Sequence, residues 1–159
     1  MLYFAYGSNM SSALMQARCR EAEALGIPTL PGFQFLITLN GYASLLPARG
    51  ICVLGVVWRV TARDLAALNI YENIDSGLYR RRVAPVQMHR RRLPALVYIG
   101  RAVGPGRPRP GYLEVVIEAA RERRLPSSYI AMIARWAPSA WRGVLAVETG
   151  EIGCPVSAT

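Results

Sequence analysis

Runs of apolar residues predict that strands dominate the first two-thirds of this 159-residue chain, whereas apolar residues spaced three and four apart predict helices in the last third. Strands are predicted over residues 2–6, 33–39, 42–46, 51–60, 78–88 and 93–100. Asn40-Gly41 is typical of a hairpin turn between the second and third strands, and His89-Arg90 is predicted to join the last two. The glycine- and proline-containing stretch 26–31 is predicted to be a turn.

Polar caps indicate where the helices begin. Thr61 and Asp64 have the spacing of a capping box, and the helix that follows is predicted to end near Glu72-Asn73, because asparagine tolerates the left-handed conformation of a C-cap. Three other helices are predicted from caps and apolar faces: Ser11 or Ser12 with Met10, Leu14 and Ala17; then Leu113, Val116, Ile117 and Ala120; then Pro126 with Ile130, Ile133 and Ala134. The tail after Trp141 has an ambiguous pattern.

The order of these elements favours the α+β class. Strands and helices do not alternate in regular βαβ units, and the sequence contains no internal repeat. A length of 159 residues fits a single domain with its own hydrophobic core. We therefore expect one domain over residues 1–159, in which a mixed or barrel-like sheet carries helices on its outside.

Composition and cysteine usage narrow the class of protein further. Hydrophobic residues make up 52% and charged residues 18%, which is typical of a compact globular chain and not of a disordered one. No apolar run approaches the roughly 20 residues that a membrane-spanning helix needs, and the N-terminus lacks the basic stretch of a signal peptide. Cys19, Cys52 and Cys154 are scattered and His89 is alone, so no metal site is expected and a reducing, cytoplasmic setting is predicted.

The basic residues are all arginine, 19 in number, and the net charge is +9. Residues 80–82 and 90–92 form two arginine triplets. Such clusters suggest either a nucleic-acid-binding surface or a solvated face of the protein. Because neither triplet is interleaved with aromatic residues that could stack on bases, the solvated face is the favoured interpretation, and nucleic acid is not an expected partner.

One acidic residue occupies a position where the helix pattern expects an apolar side chain. Leu65 and Leu68 define an inward stripe on the second predicted helix, and Glu72 is the next residue on that stripe. A carboxyl group buried there would have a raised pKa, as a general acid and base requires. The alternative is that Glu72 rotates outward and pairs with Arg80 or Arg81.

The residues after the first predicted strand offer a second chemical feature. The strand runs directly into Gly7-Ser8-Asn9 and then into a helix, which places backbone amides and small polar side chains where a carboxylate or an oxyanion can bind. Ser8 lacks the Gly-x-Ser-x-Gly pattern of a nucleophile, so we interpret it as a hydrogen-bond donor. Tyr112 follows a proline-rich loop at a helix start and is the best tyrosine to close over a ligand.

Four short motifs follow one another between residues 3 and 79. They are Tyr-Phe-Ala-Tyr-Gly-Ser-Asn-Met at 3–10, Gly-Val-Val-Trp at 55–58, Leu-Asn-Ile-Tyr-Glu at 68–72 and Ser-Gly-Leu-Tyr at 76–79. Their order and spacing resemble the γ-glutamylcyclotransferase-like family, and the resemblance extends from residue 2 to about residue 135. It implies a small mixed β-barrel with flanking helices. Asn73 departs from the pattern, because many relatives carry glycine there.

The resemblance also implies an activity and a set of site residues. The activity is the cofactor-free conversion of a γ-glutamyl amino acid or γ-glutamylamine to 5-oxoproline, with release of the amine. By position, Glu72 would be the general acid and base, the loop holding the γ-glutamyl group would be Tyr6, Gly7, Ser8 and Asn9, and the pocket would be lined by Tyr79, Tyr98 and Tyr112. The substrate's own α-amine attacks, so no protein nucleophile is required. The alternative is a catalytically silent module of the same fold that binds a small molecule or a polyanion.

Overall fold

The structure is a computed structural model, and it describes residues 1–102 and 104–138. The strands are β1 Leu2–Ala5, β2 Glu23–Gly26, β3 Thr29–Ile37, β4 Ala43–Leu54, β5 Val56–Arg59, β6 Tyr79–Met88 and β7 Arg91–Gly100. The α-helices are α1 Ser12–Arg18, α2 Ala62–Tyr71, α3 Tyr112–Glu122 and α4 Ser127–Ala134, and a short 3-10 turn spans Ser8–Met10. The predicted α+β class is confirmed. The tail after Trp141, which includes Cys154, lies outside the described residues.

The seven strands form one mixed sheet in the order β2-β5-β1-β7-β6-β3-β4. β1 and β7 are parallel, with Tyr3 opposite Leu96, and the other paired strands are antiparallel. β4 and β5 are separated in the chain only by Gly55, yet β4 is the last strand in this order and β5 the second. The sheet therefore curls until its two ends approach each other. The result is a half-barrel with four helices, which confirms the predicted barrel-like sheet.

Gly55 forms the corner between β4 and β5. A Cβ at this position would lie 2.2 Å from the backbone oxygen of Ala5 and 2.8 Å from the ring of Phe4, so no side chain fits there. The predicted division into strands over 42–46 and 51–60 is therefore wrong, since residues 43–54 form one strand, β4, and the break lies at Gly55. β4 pairs with β3, whereas β5 pairs with β1 and β2, because the chain crosses from one end of the sheet to the other at Gly55.

The predicted turn over 26–31 is also partly wrong. β2 ends at Gly26 and β3 already begins at Thr29. β2 is held by pairing with β5, and the start of β3 by pairing with the end of β4. Both contacts join segments that are distant in the chain, so local composition does not reveal them.

The first helix buries a different face from the predicted one. Its N-cap is Ser11, one of the two predicted candidates, but Met10 belongs to the preceding 3-10 turn. Leu14 is half-buried and Ala17 is exposed, while Met15 on the neighbouring stripe is fully buried. The tighter 3-10 turn changes the rotation of the chain, so an apolar stripe counted from Met10 does not continue along α1.

The second helix begins and ends as predicted. The Asp64 amide donates to Thr61 Oγ1 at 3.2 Å, and the Thr61 amide donates to Asp64 Oδ2 at 3.0 Å, which completes the capping box. The helix ends at Tyr71, Glu72 is its C-cap, and Asn73 has a left-handed φ of 49°. Asparagine adopts this conformation more readily than most residues. The chain therefore reverses direction after Glu72 although residue 73 is asparagine and not the glycine that many relatives carry.

Both arginine triplets lie on the surface. Residues 80–82 are exposed on β6, and residues 90–92 are exposed in and after the β6–β7 turn. That turn is the predicted one, with positive φ at His89 and Arg90, 48° and 63°. Within residues 1–102 and 104–138, no helix combines the length and the apolar character needed to cross a bilayer.

Candidate active site

The loop after β1 and the first residue of α3 approach each other closely. β1 ends at Ala5, and Gly7 is the N-cap of the 3-10 turn. A Cβ on Gly7 would lie 3.0 Å from the Tyr112 hydroxyl and 3.4 Å from the Ala43 Cβ. The absence of a side chain at Gly7 therefore lets the Tyr112 hydroxyl reach the backbone of the loop.

A cavity of about 330 Å³ opens between this loop and the end of α2. This volume lies at the lower end of the range for small-molecule sites, about 300–1,000 Å³. The lining residues are Tyr3, Tyr6, Gly7, Ser8, Asn9, Tyr42, Ala43, Tyr71, Glu72, Asn73, Leu78, Tyr79, Tyr98 and Tyr112. The structure thus brings together every site residue named from the sequence, from Tyr6 to Tyr112, around one space.

Glu72 points into this cavity and not into solvent. The residue is 9% exposed, and Asn9 Nδ2 donates to Glu72 Oε1 at 3.0 Å. In the described part of the chain, no ion pair includes Glu72, so the alternative pairing with Arg80 or Arg81 is not observed. Burial raises the pKa of Glu72 to about 7, while Arg18 and Asn9 act to lower it. A carboxyl group with this pKa can both accept and return a proton near neutral pH.

Both polar atoms of the Asn9 side chain are engaged with other protein groups. Besides Glu72, Nδ2 donates to the Tyr3 hydroxyl at 2.9 Å, and Oδ1 accepts from Arg18 Nη1. The backbone oxygen of Asn9 accepts from Trp58 Nε1 at 3.1 Å. These contacts hold the 3-10 turn in place and direct the Asn9 amide group toward Glu72.

Buried tyrosines form the walls of the cavity, and their hydroxyl groups differ in what they bind. Tyr6 donates to the backbone oxygen of Tyr98 at 2.5 Å, and Tyr79 donates to the backbone oxygen of Ala43 at 2.7 Å. Burial raises the pKa of Tyr6, Tyr79, Tyr98 and Tyr112 above its ordinary value. These phenols are therefore neutral near pH 7, and the hydrogens of Tyr6 and Tyr79 are already used by backbone oxygens.

The Tyr112 hydroxyl differs from those of Tyr6, Tyr79 and Tyr98, because its oxygen accepts a hydrogen bond, as the Tyr3 hydroxyl also does. The Ala43 amide donates to it at 3.2 Å. The backbone amides of Ala43 and Ser8 both lower the pKa of Tyr112 against the larger effect of burial. A hydroxyl group has one hydrogen to donate in addition to its acceptor sites, so that hydrogen can point into the cavity. Tyr112 is thus able to offer a donor to a bound ligand.

Tyr71 stands at the edge of the cavity. The residue is 40% exposed, and its hydroxyl lies 3.4 Å from Ser8 Oγ. The Arg18 guanidinium carbon lies 3.6 Å from the centroid of the Tyr71 ring. This cation–π contact joins the last residue of α1 to the last residue of α2.

Some residues of the site were not identified from the sequence. Tyr3 and Arg18 contact Asn9, and Asn69 Oδ1 accepts from the Tyr98 hydroxyl at 2.8 Å. Tyr3 and Asn69 lie inside the motifs at 3–10 and 68–72, so their place in these motifs could have identified them as site residues. Arg18 has no such signal, because its role depends on how α1 packs beside α2.

The residues described offer little for nucleophilic or metal-assisted chemistry. Cys19 is buried, and burial raises the pKa of its thiol to about 11. His89 is exposed in the β6–β7 turn. Among residues 1–102 and 104–138, no group of three or more His, Cys, Asp or Glu side chains could hold a metal ion. The groups that line the cavity include a buried carboxyl group, hydroxyls and backbone amides, which can transfer protons and form hydrogen bonds with a ligand.

Comparisons with known proteins agree with this fold. The AIG2-like family matches residues 52–133. Gamma-glutamylcyclotransferase of Mus musculus is 26% identical over 164 residues, covering 95% of this chain and 86% of the relative. The Homo sapiens protein of the same name is 25% identical over 162 residues, with the same coverage. A solved structure of a gamma-glutamyl cyclotransferase has a TM-score of 0.80 at 23% identity, covering 95% of this chain and 94% of that one, and shares the fold.

Proposed function

This chain belongs to the AIG2-like family, and from that premise we propose that it is a γ-glutamylcyclotransferase. Its substrate is a γ-glutamyl amino acid or a γ-glutamylamine, and its products are 5-oxoproline and the free amine. The observation that carries the proposal is the buried Glu72 carboxyl group, which lies in one cavity with the Gly7-Ser8 loop and the Tyr112 hydroxyl. The names of the curated relatives support the same activity.

The proposed reaction is an intramolecular acyl transfer. The α-amine nitrogen of the substrate attacks its γ-carbonyl carbon and forms the C–N bond of the five-membered ring. The bond between that carbon and the leaving nitrogen then breaks. The α-ammonium nitrogen loses two protons on its way to the lactam N–H. Glu72 accepts the first, which frees the amine to attack, and passes it to the leaving nitrogen, so one carboxyl group serves as base and then as acid. The second proton leaves the ring nitrogen after the C–N bond has formed and is taken up by the released amine, which departs as an ammonium ion. No water is consumed, and no protein nucleophile is needed.

The cavity supplies the folded conformation that the substrate needs. An unbound substrate adopts many conformations, and in few of them does the α-amine lie next to the γ-carbonyl. Binding that holds the two groups together can lower the activation free energy by about 7–11 kcal/mol. Gly7 and Ser8 hold the γ-glutamyl group at one side, and the rings of Tyr79 and Tyr98 enclose it. Asn9 contributes by orienting Glu72, because its own amide is already bonded to that carboxyl group.

The tetrahedral intermediate carries negative charge on the former γ-carbonyl oxygen. We assign the Tyr112 hydroxyl as the donor to this oxyanion, because the hydroxyls of Tyr6 and Tyr79 donate to backbone oxygens. The Tyr98 hydroxyl donates to Asn69, and the Tyr3 hydroxyl is bound to Asn9 beside the base. The oxygen of Tyr112 accepts from the Ala43 amide, which orients its hydrogen away from the backbone and increases its acidity. A donor of this kind lowers the barrier by about 3–4 kcal/mol.

The test is to incubate the purified protein with a panel of γ-glutamyl dipeptides and γ-glutamylamines and to quantify 5-oxoproline. We expect turnover by the wild type and a loss of at least about 100-fold in kcat for Glu72→Gln, because a general acid and base contributes about 10²–10⁴-fold. Asp75→Asn, at an exposed acidic residue three positions away, is the matched control and should keep full activity.

The alternative, a catalytically silent module, gives a different result in the same experiment. It predicts no 5-oxoproline from any substrate and salt-sensitive binding of polyanions to the exposed arginines at 80–82 and 90–92. If the wild type is active and Glu72→Gln keeps full activity, the role assigned to Glu72 is contradicted, whereas the cyclotransferase activity is not.

A further inference from the structure

We propose that Arg18 is a positioning residue of this site, which acts on Glu72 through the side-chain amide of Asn9. The inference rests on the proposed cyclotransferase function. Arg18 is the last residue of α1, and its side chain is half-buried between the 3-10 turn and the end of α2.

The hydrogen bond from Arg18 determines which way the Asn9 amide faces. An asparagine side chain has a donor end and an acceptor end of nearly the same shape, and either end could face Glu72. Arginine can only donate, so the oxygen of the Asn9 amide must face Arg18 Nη1. Asn9 Nδ2 is then directed at Glu72 Oε1, 3.0 Å away, and at the Tyr3 hydroxyl, 2.9 Å away. The opposite orientation would place the Asn9 oxygen against the Glu72 carboxylate.

Arg18 also contacts the other neighbour of the base. Its guanidinium group lies over the ring of Tyr71, 3.6 Å from the centroid, and Tyr71 directly precedes Glu72 in the chain. The Tyr71 hydroxyl in turn reaches Ser8 Oγ at 3.4 Å. One arginine therefore joins the 3-10 turn that carries Asn9 to the helix end that carries Glu72. Removing it would loosen both supports of the carboxyl group.

Arg18 is also the cation that acts on Glu72. Besides Tyr71 at the edge of the cavity, five phenols from the surrounding elements face this carboxyl group: Tyr3 of β1, Tyr6 of the following loop, Tyr79 of β6, Tyr98 of β7 and Tyr112 of α3. Burial raises the pKa of each of these five phenols, so all five are neutral near pH 7. Burial also raises the pKa of Glu72, and the charge of Arg18 opposes that rise. Without Arg18 the carboxyl group would hold its proton at neutral pH and would be a poor base.

The test compares Arg18→Met and Arg18→Lys with the wild type, using kcat/KM for 5-oxoproline formation from pH 5 to pH 9. Methionine keeps a long apolar stem but has neither the charge nor the donor, whereas lysine keeps the charge. For Arg18→Met we expect at least a tenfold loss of kcat/KM at pH 7, as roughly 1.5 kcal/mol or more per charged hydrogen bond implies, and an acidic limb displaced to higher pH. Arg18→Lys should recover most of the displacement. Arg20→Met, at an exposed arginine two residues away, is the control and should match the wild type.

A second measurement does not depend on turnover. The chemical shifts of the glutamate side-chain carboxyl carbons are followed by NMR as a function of pH in protein labelled with ¹³C-glutamate. The Glu72 resonance is assigned as the one that is missing from the spectrum of Glu72→Gln. We expect the Glu72 titration to move to higher pH in Arg18→Met and to stay near the wild-type curve in Arg20→Met, with folding checked by thermal denaturation. Superimposable Glu72 titrations in wild type and Arg18→Met would overturn the role of Arg18. Absence of turnover by the wild type would overturn the cyclotransferase proposal and leave this titration interpretable.

Discussion

Replacing Glu72 by glutamine removes a charge from the cavity while it keeps the size and the hydrogen-bond acceptor of the side chain. In the folded protein the pKa of Glu72 is raised from 4.5 to about 7, chiefly by burial. The folded state therefore binds this proton more tightly than the unfolded chain does, and stability falls as pH rises between the two values. Because each pH unit corresponds to about 1.4 kcal/mol, the wild type loses about 3 kcal/mol of unfolding free energy across this interval.

The glutamine variant lacks this pH dependence, since its side chain does not titrate. Asn9 Nδ2 can still donate to the amide oxygen of Gln at position 72, so the local hydrogen bond is retained. We expect wild type and Glu72→Gln to have similar unfolding free energies at pH 4.5 and the variant to be more stable by about 3 kcal/mol at pH 8. The gain in stability would accompany the loss of activity, as is common for buried catalytic groups.

Urea titrations followed by circular dichroism at pH 4.5, 6 and 8 measure these free energies directly. Asp75→Asn is the control, because the same charge is removed from an exposed position and the difference from wild type should be within about 0.5 kcal/mol at each pH. A stability difference between wild type and Glu72→Gln that is the same at all three pH values would refute the reasoning. It would mean that Glu72 ionises in the folded protein as it does in water.

Two further substitutions test other parts of the structure. Tyr112→Phe should lower kcat by about 100-fold or more with little change in KM, because the proposed oxyanion donor is lost, and equal kinetics for variant and wild type would exclude that role. Tyr129→Phe removes a buried hydroxyl that donates to the Leu54 backbone oxygen outside the cavity, so it should leave kcat unchanged. Gly55→Ala should destabilise the fold by about 3 kcal/mol or more in urea titrations, because its Cβ would overlap a backbone oxygen 2.2 Å away. Gly50→Ala, with open space around the new Cβ and a φ of 75°, should cost only about 1–2 kcal/mol, and equal losses at both glycines would contradict the steric argument.

Several features of the site could be predicted from the sequence because they are local. The capping box of Thr61 and Asp64 begins α2, and Asn73 permits its end, so the inward position of Glu72 follows from helical spacing over eleven residues or so. The order of the predicted elements indicated the α+β class. The resemblance of the ordered motifs to a known family supplied the small mixed β-barrel and the partners of Glu72. The strand break at Gly55 could not be predicted in the same way. The apolar run around it is uninterrupted, and such a run does not show that its two halves pair with different strands.

What the sequence by itself determined is therefore the position of the acid at the end of its helix and the loop that faces it. Only the tertiary structure decided how the acid is held. Asn9 meets Glu72 across 63 residues of chain, and Arg18 meets Asn9 and Tyr71 only because α1 packs beside α2. Likewise, the curled sheet brings the Ala43 amide to the Tyr112 hydroxyl oxygen, a contact between residues 69 positions apart in the chain. Such contacts depend on the mutual packing of distant elements, which propensity and periodicity do not encode.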